Sequence, residues 1–192
     1  MKDGEQRAMN DKYKIFALFG KSGAGKDTIQ KWIVSHYAYL TKGIVSCTTR
    51  PKRENEIDGK DYYFLSNEQF AEEVLNGNML EATEFNNWFY GTRLSELDKN
   101  KINIGVFNIN GIECLLQDSR IEVTPFYVDV PDKIRLTRAL NREENPDCHE
   151  ICRRFLSDEK DFCDIDFDYE TIYNHDLFPY TDMQLSKILK MY

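Results

Sequence analysis

The chain has 192 residues, of which 41% are hydrophobic and 30% are charged, and its formal net charge is −8 at pH 7. This length suits one compact domain with room for a small insertion. The acidic balance argues against a broad nucleic-acid-binding face, and no apolar run approaches the roughly 18 residues that a membrane span needs.

Cysteine usage and the N-terminus bear on where the protein works. The five cysteines show no paired spacing, which predicts reduced thiols and a cytoplasmic location. Cys148, His149 and Cys152 have the spacing of half a metal site, but without a second pair helical packing is the better interpretation. Residues 1–11 are polar and lack the apolar segment of a signal peptide, so we predict a flexible tail.

A glycine-rich turn follows the first predicted strand, which covers Ile15–Phe19, and it precedes a helix. The turn has the G-x-x-x-x-G-K spacing of a phosphate-binding P-loop. Glycines let consecutive N–H groups point at a polyphosphate, and Lys26 adds a cation at the helix N-terminus. Asp27 stands where serine or threonine is expected, with Thr28 one place later. The predicted phosphate-binding residues are Gly20, Ser22, Gly23, Ala24, Gly25, Lys26, Asp27 and Thr28.

The rest of the chain alternates between strand and helix patterns. Helices are predicted from the P-loop to about Tyr39, from Ser66 or Asn67 to Gly77, and over residues 111–117, 132–141, 145–162 and 181–190. Strands are predicted over residues 15–19, 43–47, 62–65, 79–85, 88–90, 102–109, 123–130 and 170–173. Gly91 is expected to break the strand before it, and Asn145 with Pro146 to start the helix that ends near residue 162.

This alternation predicts an α/β fold, with a parallel sheet between helices on both faces as in the three-layer core of P-loop NTPases. Residues 50–92 interrupt the rhythm as a small α+β insert, and the arginine-rich residues 138–162 are predicted to form a helical lid. The core then comprises residues 12–49, 93–137 and 163–192 of a single domain.

One stretch after the P-loop carries a specific pattern. Residues 46–64 read Ser-x-Thr-Thr-Arg-x-x-Arg-x-x-Glu-x-x-Gly-x-Asp-Tyr-x-Phe and closely resemble the guanylate kinase family at this place. Further family motifs follow in order at Leu80-Glu81, Phe85, Tyr90-Gly91-Thr92, Arg138, Arg142, Arg153-Arg154, Asn174 and Asp176-Leu177. The resemblance covers residues 13–190 and implies a nucleoside monophosphate kinase whose insert binds the acceptor nucleotide.

The acceptor of such a kinase carries a phosphate dianion, which requires cations and hydroxyl donors. Arg50 and Arg53, three apart on a loop, can converge on one phosphate with a bidentate geometry that lysine does not reproduce. Tyr62 and Tyr90 offer phenolic donors to the same group. The resemblance implies that these four residues hold the phosphate of GMP.

Guanine presents donors at N1 and N2 and an acceptor at O6, so a carboxylate and a hydroxyl are its natural partners. The resemblance places Glu81, Ser46 and Thr92 in these roles, with Thr92 replacing the family's usual serine, and it adds Asn108 to the GMP-binding residues. A buried Glu81 should reject adenine, because its carboxylate would be left unpaired.

Phosphoryl transfer requires cations around the group that moves. Lys26 supplies one from the P-loop, and the resemblance favours Arg142 and Arg154 as catalytic residues, with Arg138 next. It also implies ATP as the donor, Mg²⁺ as the cofactor, and Asn174 near the donor adenine. A simple turn role at the strand end stays open for Asn174.

Two further positions depart from the family pattern. The family's two aspartates at the end of a core strand correspond to Asn108 and Asn110, whose amides bring no negative charge. Metal affinity, acceptor choice and rate are therefore open questions. We hypothesise that Asp27 partly compensates beside the metal, with Thr28 as the hydroxyl ligand; stabilisation of the helix N-terminus is an equal alternative for Asp27.

The predicted function is ATP-dependent phosphorylation of GMP or dGMP by direct in-line transfer. One alternative is a related P-loop kinase for another phosphorylated acceptor, such as another deoxynucleoside monophosphate or a ribose bisphosphate. A second is a catalytically weak interaction module of guanylate-kinase-like fold. The expected partners are nucleotides rather than nucleic acid or membrane, and the sequence leaves monomer or homodimer open.

Overall fold

The structure, a computed structural model, describes residues 12–85, 87–142, 144–175 and 178–189, with backbone alone for residues 178–183. The strands are β1 (Tyr13–Phe19), β2 (Thr41–Gly43), β3 (Cys47–Thr48), β4 (Tyr63–Phe64), β5 (Met79–Phe85), β6 (Trp88–Arg93), β7 (Ile102–Val106), β8 (Ile121–Asp129) and β9 (Glu170–Tyr173). The helices are α1 (Lys26–His36), α2 (Asn67–Leu75), α3 (Ile109–Gln117), α4 (Asp132–Leu140), α5 (Cys148–Asp161) and α6 (Phe178–Leu189).

The core sheet has the strand order β2-β7-β1-β8-β9, and every pairing in it is parallel. Side chains of β1 alternate between its two faces. Phe16 and Leu18 pack with residues of α1 and α6, whereas Ile15 and Phe19 pack with residues of α3. The predicted three-layer α/β core, with helices on both faces, is therefore confirmed.

A second sheet, with the order β4-β3-β6-β5, forms the small α+β part of the chain. Helix α2 packs beside it through the buried Phe70, whose ring stacks on Phe89 at 5.6 Å between centroids. Ser66 and Gln69 form a reciprocal capping box at the start of α2, which confirms the predicted cap.

The predicted strand over residues 43–47 is wrong. Its two ends belong to different sheets: β2 pairs with β7 in the core, and β3 pairs with β6 in the small sheet. Between them the Ile44 N–H donates to the Ile104 carbonyl, and Gln30 of α1 donates to the carbonyls of both residues. The small sheet thus begins at Cys47, three residues before the predicted start of the insert.

Gly91 does not break its strand, because β6 continues through it to Arg93. A Cβ at this position would lie 2.8 Å from the Glu81 carbonyl oxygen and 3.0 Å from the Phe70 ring. Close packing against β5 and α2 therefore explains why glycine stands here.

Three helix starts also differ from expectation, among them that of α6, which begins at Phe178 and not near residue 181. Helix α5 is capped by the Asp147 carboxylate, which accepts from the Glu150 N–H, and not by Asn145. Helix α3 starts two residues earlier than predicted, at Ile109. The predicted tail and the motif residues Asp176 and Leu177 lie outside the described residues. Of the helices that the structure describes, none combines the length and apolar character needed to cross a membrane.

Candidate active site

The phosphate loop joins β1 to α1 in a conformation that requires its glycines. Gly20, Gly23 and Gly25 have φ angles of +146°, +79° and +86°. A Cβ at Gly20 would lie 2.8 Å from the Val128 carbonyl oxygen, and one at Gly23 would lie 2.7 Å from the Arg135 carbonyl oxygen. The loop is therefore tightly packed between β8 and α4, and its last glycine directly precedes the first turn of α1.

Lys26 is folded back onto this loop. Its Nζ donates to the Gly20 carbonyl at 2.7 Å and to the Lys21 carbonyl at 3.2 Å. Burial lowers the Lys26 pKa, and the charges of Arg135 and Arg142 act in the same direction against those of Asp27 and Asp158. A polyphosphate would supply the anionic partner that this ammonium lacks in the described structure.

Asn174 and Arg138 close the loop from the side of β9 and α4. The buried Asn174 side chain donates to the Ala24 carbonyl at 2.7 Å, and Arg138 Nη2 donates to the Asn174 carbonyl at 3.1 Å. Arg138 Nη1 is buried and has no hydrogen-bond partner among the described residues. This nitrogen would lie 3.8 Å from a Cβ at Gly25, so a donor aimed past the loop is available to a ligand.

Arg50, Tyr62 and Tyr90 come together at the small sheet, as the sequence predicts. The Arg50 guanidinium carbon is 5.5 Å from the Tyr62 ring centroid, and the rings of Tyr62 and Tyr90 meet edge to face at 6.2 Å. Glu56 holds this arrangement by accepting from Arg50 Nη2 at 2.8 Å and from the Arg53 N–H at 2.9 Å. Although burial raises the Glu56 pKa, these hydrogen bonds outweigh it and keep the value below the usual range.

Arg53 is surrounded by other positive charges, although Glu56 lies 3.5 Å from its Nη1. Burial lowers its pKa, and the charges of Arg50, Arg142 and Arg154 lower it further. Arg142 also lowers the pKa of Lys26, so its charge acts on both the small sheet and the phosphate loop. This convergence of positive charge is the arrangement that two phosphate groups would neutralise.

Arg154 is positioned by its own helix. Its Nε donates to Glu150 at 2.7 Å, and Arg153 binds the same carboxylate, also at 2.7 Å. The hydrogen bonds from Arg153 and the one from Arg154 lower the Glu150 pKa to about 2. A fixed carboxylate one turn earlier therefore orients both arginines.

The predicted guanine-recognition residues also meet. Glu81 and Thr92 are cross-strand partners in β5 and β6, and the Ser46 and Thr92 hydroxyl oxygens are 3.3 Å apart. Glu81 is buried, and this burial raises its pKa to about 7 against the opposing effect of a hydrogen bond with Thr92. A buried carboxylate thus lies beside two hydroxyls.

The two asparagines that replace the family's aspartates have different surroundings. Asn108 caps α3 by accepting from the Gly111 N–H at 2.7 Å, and its amide donates to the Thr83 hydroxyl at 2.8 Å. A Cβ at Gly111 would lie 3.1 Å from Asn108 Oδ1 and 3.4 Å from Glu81 Oε2, so Asn108 borders the guanine pocket. Asn110 is exposed on the first turn of α3.

Asp27 and Thr28 are exposed on the first turn of α1, where they can reach ligands of the phosphate loop. Burial raises the pKa of Tyr62, and the charge of Asp27 adds to this shift. Within the described ranges no group of three His, Cys, Asp or Glu side chains is arranged to hold a metal ion. One carboxylate and one hydroxyl suit Mg²⁺, which usually keeps several waters and binds substrate phosphates.

Sequence reasoning gave no role to three side chains that shape the site. Glu56 belongs to the family pattern, and its spacing from Arg50 and Arg53 could have suggested their partner. Arg135 and Asp158 gave no such signal, because charged residues on amphipathic helices usually face solvent. The free thiols Cys148 and Cys152 lie exposed on α5, away from the packed core that the sequence suggested for them.

Comparison with known proteins agrees with this geometry. The family model described as guanylate kinase matches residues 12–192. The chain belongs to the guanylate kinase family. A guanylate kinase of Lactobacillus delbrueckii subsp. bulgaricus is 42% identical over 86 residues, which are 45% of this chain and 42% of that relative. One of Chlamydia felis is 32% identical over 131 residues, which are 66% of this chain and 63% of that relative.

The matched stretches therefore span about half the length of these guanylate kinases. Among solved structures, the crystal structure of a guanylate kinase from Anaplasma phagocytophilum superposes with a TM-score of 0.65. It covers 94% of this chain and 86% of the other at 22% identity, so the likeness concerns the fold.

Proposed function

We propose that this member of the guanylate kinase family transfers the γ-phosphoryl group of ATP to GMP or dGMP. The observation that carries the proposal is that one chain holds both a glycine-rich loop with Lys26 folded onto it and a small sheet beside which Glu56 holds Arg50 and Arg53. Lys26 belongs to a loop built for a polyphosphate, and Arg53 belongs to the arginine-lined small sheet. Two separate phosphate-binding groups suit transfer from one to the other, and the charge of Arg142 acts on both.

The donor site is the loop from Gly20 to Thr28. Its N–H groups would cradle the ATP phosphates, and Lys26 Nζ would exchange two carbonyl partners for phosphate oxygens. Arg138 has a buried nitrogen without a partner among the described residues, which supports a contact with the donor. The Asn174 amide is bound to Ala24, so we assign it to the shape of this site more than to direct adenine contact.

The acceptor site is the small sheet. Arg50, Arg53, Tyr62 and Tyr90 would bind the GMP phosphate, and its oxygen would attack the donor directly without a protein nucleophile. Arg154 and Arg142 would stabilise charge on the group in transit. Glu81 would accept from the guanine N1 and N2 donors, with the Ser46 and Thr92 hydroxyls and Asn108 completing the pocket.

We assign Mg²⁺ to the first turn of α1, where the Thr28 hydroxyl and the Asp27 carboxylate would hold it; the ion supplies positive charge to the donor phosphates when bound. Asp27→Asn should raise the Mg²⁺ concentration needed for half-maximal turnover. Asn108→Asp should leave that concentration unchanged, because Asn108 borders the guanine pocket. An unchanged requirement in Asp27→Asn would contradict the assignment and the idea that Asp27 compensates for the lost aspartates.

An ADP-release assay against a panel of monophosphates tests the function. Turnover with GMP or dGMP at rates far above those with AMP, CMP and UMP is expected, and Lys26→Met should abolish it as a matched control. Turnover restricted to another deoxynucleoside monophosphate or to a ribose bisphosphate would show that this compound, and not GMP or dGMP, is the acceptor. A lack of ADP release with every compound of the panel would favour a protein-interaction module instead. Oligomeric state and a cytoplasmic location remain predictions.

A further inference from the structure

A buried ion pair that the proposed mechanism does not use lies directly behind the phosphate loop. Arg135 of α4 and Asp158 of α5 are 1% and 2% exposed, and their Nη1 and Oδ2 atoms are 3.0 Å apart. A buried ion pair offsets its desolvation penalty only when further hydrogen bonds satisfy both groups. The groups that satisfy this pair therefore show what it is arranged to hold.

Both members of the pair bind Ser22, the third residue of the loop. The Asp158 carboxylate accepts from the Ser22 N–H at 2.8 Å and from the Ser22 hydroxyl at 3.2 Å. Arg135 Nη1 donates to the Ser22 carbonyl at 2.9 Å. The polar groups of this one residue are thus all fixed by the ion pair, so the loop cannot turn at Ser22 without leaving buried charges unsatisfied.

Arg135 is itself held in place on its other sides. It donates to Asp132 Oδ1 at 2.6 Å, and its guanidinium carbon is 4.4 Å from the Phe155 ring centroid. The Arg135 backbone also sets the shape of the loop, since a Cβ at Gly23 would lie 2.7 Å from its carbonyl oxygen. The side of the loop that faces α4 and α5 is therefore held by side chains that are themselves fixed.

The ion pair also lies next to the arginines proposed to act on the phosphates. Arg138 follows Arg135 by three residues on α4, and Arg154 precedes Asp158 by four residues on α5. Residues at these spacings share one face of a helix. Because Arg135 and Asp158 are fixed against Ser22, the positions of Arg138 and Arg154 relative to the phosphate loop are fixed as well.

We propose that Arg135 and Asp158 are positioning residues for the donor: through Ser22 they hold the phosphate loop in its binding conformation, and they align Arg138 and Arg154 with it. This inference rests on the proposed function only in taking ATP as the donor. The identity of the acceptor does not enter, so the two proposals can fail separately.

Calorimetric titration with ATP and Mg²⁺, without an acceptor, tests this role. Asp158→Asn keeps the shape of the side chain but removes the buried counter-charge of Arg135, whose other close ion pair is with the exposed Asp132, and it weakens the hold on Ser22. We expect ATP affinity to fall at least about tenfold. Asp161→Asn is the matched control: Asp161 lies on the same helix and is exposed, and it accepts from Ser157 at 3.0 Å. Its ATP affinity should stay within about twofold of wild type.

A second variant separates positioning from stability. Arg135→Met combined with Asp158→Leu replaces the ion pair with apolar side chains, an exchange that often preserves or raises stability. We expect a melting temperature near the wild-type value together with ATP affinity about tenfold weaker. Wild-type ATP affinity in either folded variant would overturn the proposal. ATP binding by the wild-type chain without turnover of any monophosphate would contradict the proposed function alone, and no ATP binding at all would contradict both.

Discussion

Glu81 lies in an environment that differs strongly from that of an ordinary carboxylate. Burial raises its pKa to about 7, so near neutral pH it is present in both protonation states. Only the ionised carboxylate accepts hydrogen bonds from both guanine donors. Recognition of the acceptor should therefore depend on pH in the physiological range.

We expect kcat/KM for GMP to rise as the pH increases from about 6 to 8, by up to about tenfold per pH unit below the pKa of Glu81. The sign follows from its raised pKa, because the protonated form that predominates below about 7 presents an O–H donor toward the N1 and N2 donors of guanine. Glu81→Gln should have lower activity and a flat profile in this range. An unaltered pH profile in that variant would assign the titration to another group.

Glu56 is expected to act on acceptor binding without touching the nucleotide. It accepts from the Arg50 guanidinium and from the Arg53 N–H, so Glu56→Gln should loosen both arginines. We expect KM for GMP to increase on the order of tenfold, with a smaller change in kcat. Glu54→Gln, at an exposed position of the same loop, is the control and should match wild type. Equal effects of the two substitutions would refute the role of Glu56.

The regular elements could largely be read from local patterns, because capping and periodicity are short-range. Ser66 starts α2 as expected, and Glu170–Tyr173 is a strand as expected. The failures occur where long-range contacts decide. Residues 43–47 form an apolar run, yet one of its ends pairs with β7 in the core sheet and the other pairs with β6 in the small sheet.

The site was predictable to the degree that its residues follow a family pattern. Arg50, Tyr62 and Glu81 stand where the pattern implied, because phosphate and guanine impose fixed chemical demands. Arg135 and Asp158 were not predictable, since their burial depends on how α4 and α5 pack behind the loop. A pattern of charges along a helix does not reveal which of them faces inward.

Gly91 offers a test at the level of the small sheet. Gly91→Ala places a methyl group 2.8 Å from the Glu81 carbonyl oxygen, so β5 and β6 must separate. We expect the free energy of unfolding to decrease by about 1 to 3 kcal/mol, measured by urea denaturation. GMP affinity should fall as well, because Glu81 moves with its strand. Unchanged stability would mean that β5 and β6 accommodate the methyl group without strain.

The whole chain is acidic, with a net charge of −8, yet several lysine and arginine side chains lie at the phosphate loop and the small sheet. Lys26 and Arg53 both have pKa values that burial and neighbouring arginines lower, despite nearby carboxylates, which indicates that positive charge is concentrated there. Ligand phosphates would relieve this repulsion. Stability should therefore be strongly coupled to occupancy of both nucleotide sites.

A bisubstrate analogue that joins adenosine and guanosine through a polyphosphate should raise the melting temperature more than ATP or GMP alone. At a concentration 100 times its Kd, linkage alone adds about 2.7 kcal/mol to the free energy of unfolding. The increase should shrink as salt is added, because the attraction is electrostatic. Thermal melts at two salt concentrations measure this, with Lys26→Met as the control. A salt-independent increase would exclude charge neutralisation as its source.

The short crossing between the two sheets limits how this chain could be re-engineered. Gln30 of α1 holds the crossing through the Ile44 carbonyl, Ser46 lies within it, and Asn108 reaches the guanine pocket from the end of a core strand. A chimera that exchanges only residues 47–92 would therefore transfer Arg50, Arg53 and Glu81. At the junction, however, these residues would meet side chains of the recipient protein. An exchange intended to transfer acceptor specificity therefore has to include Gln30, Ser46 and Asn108 as well.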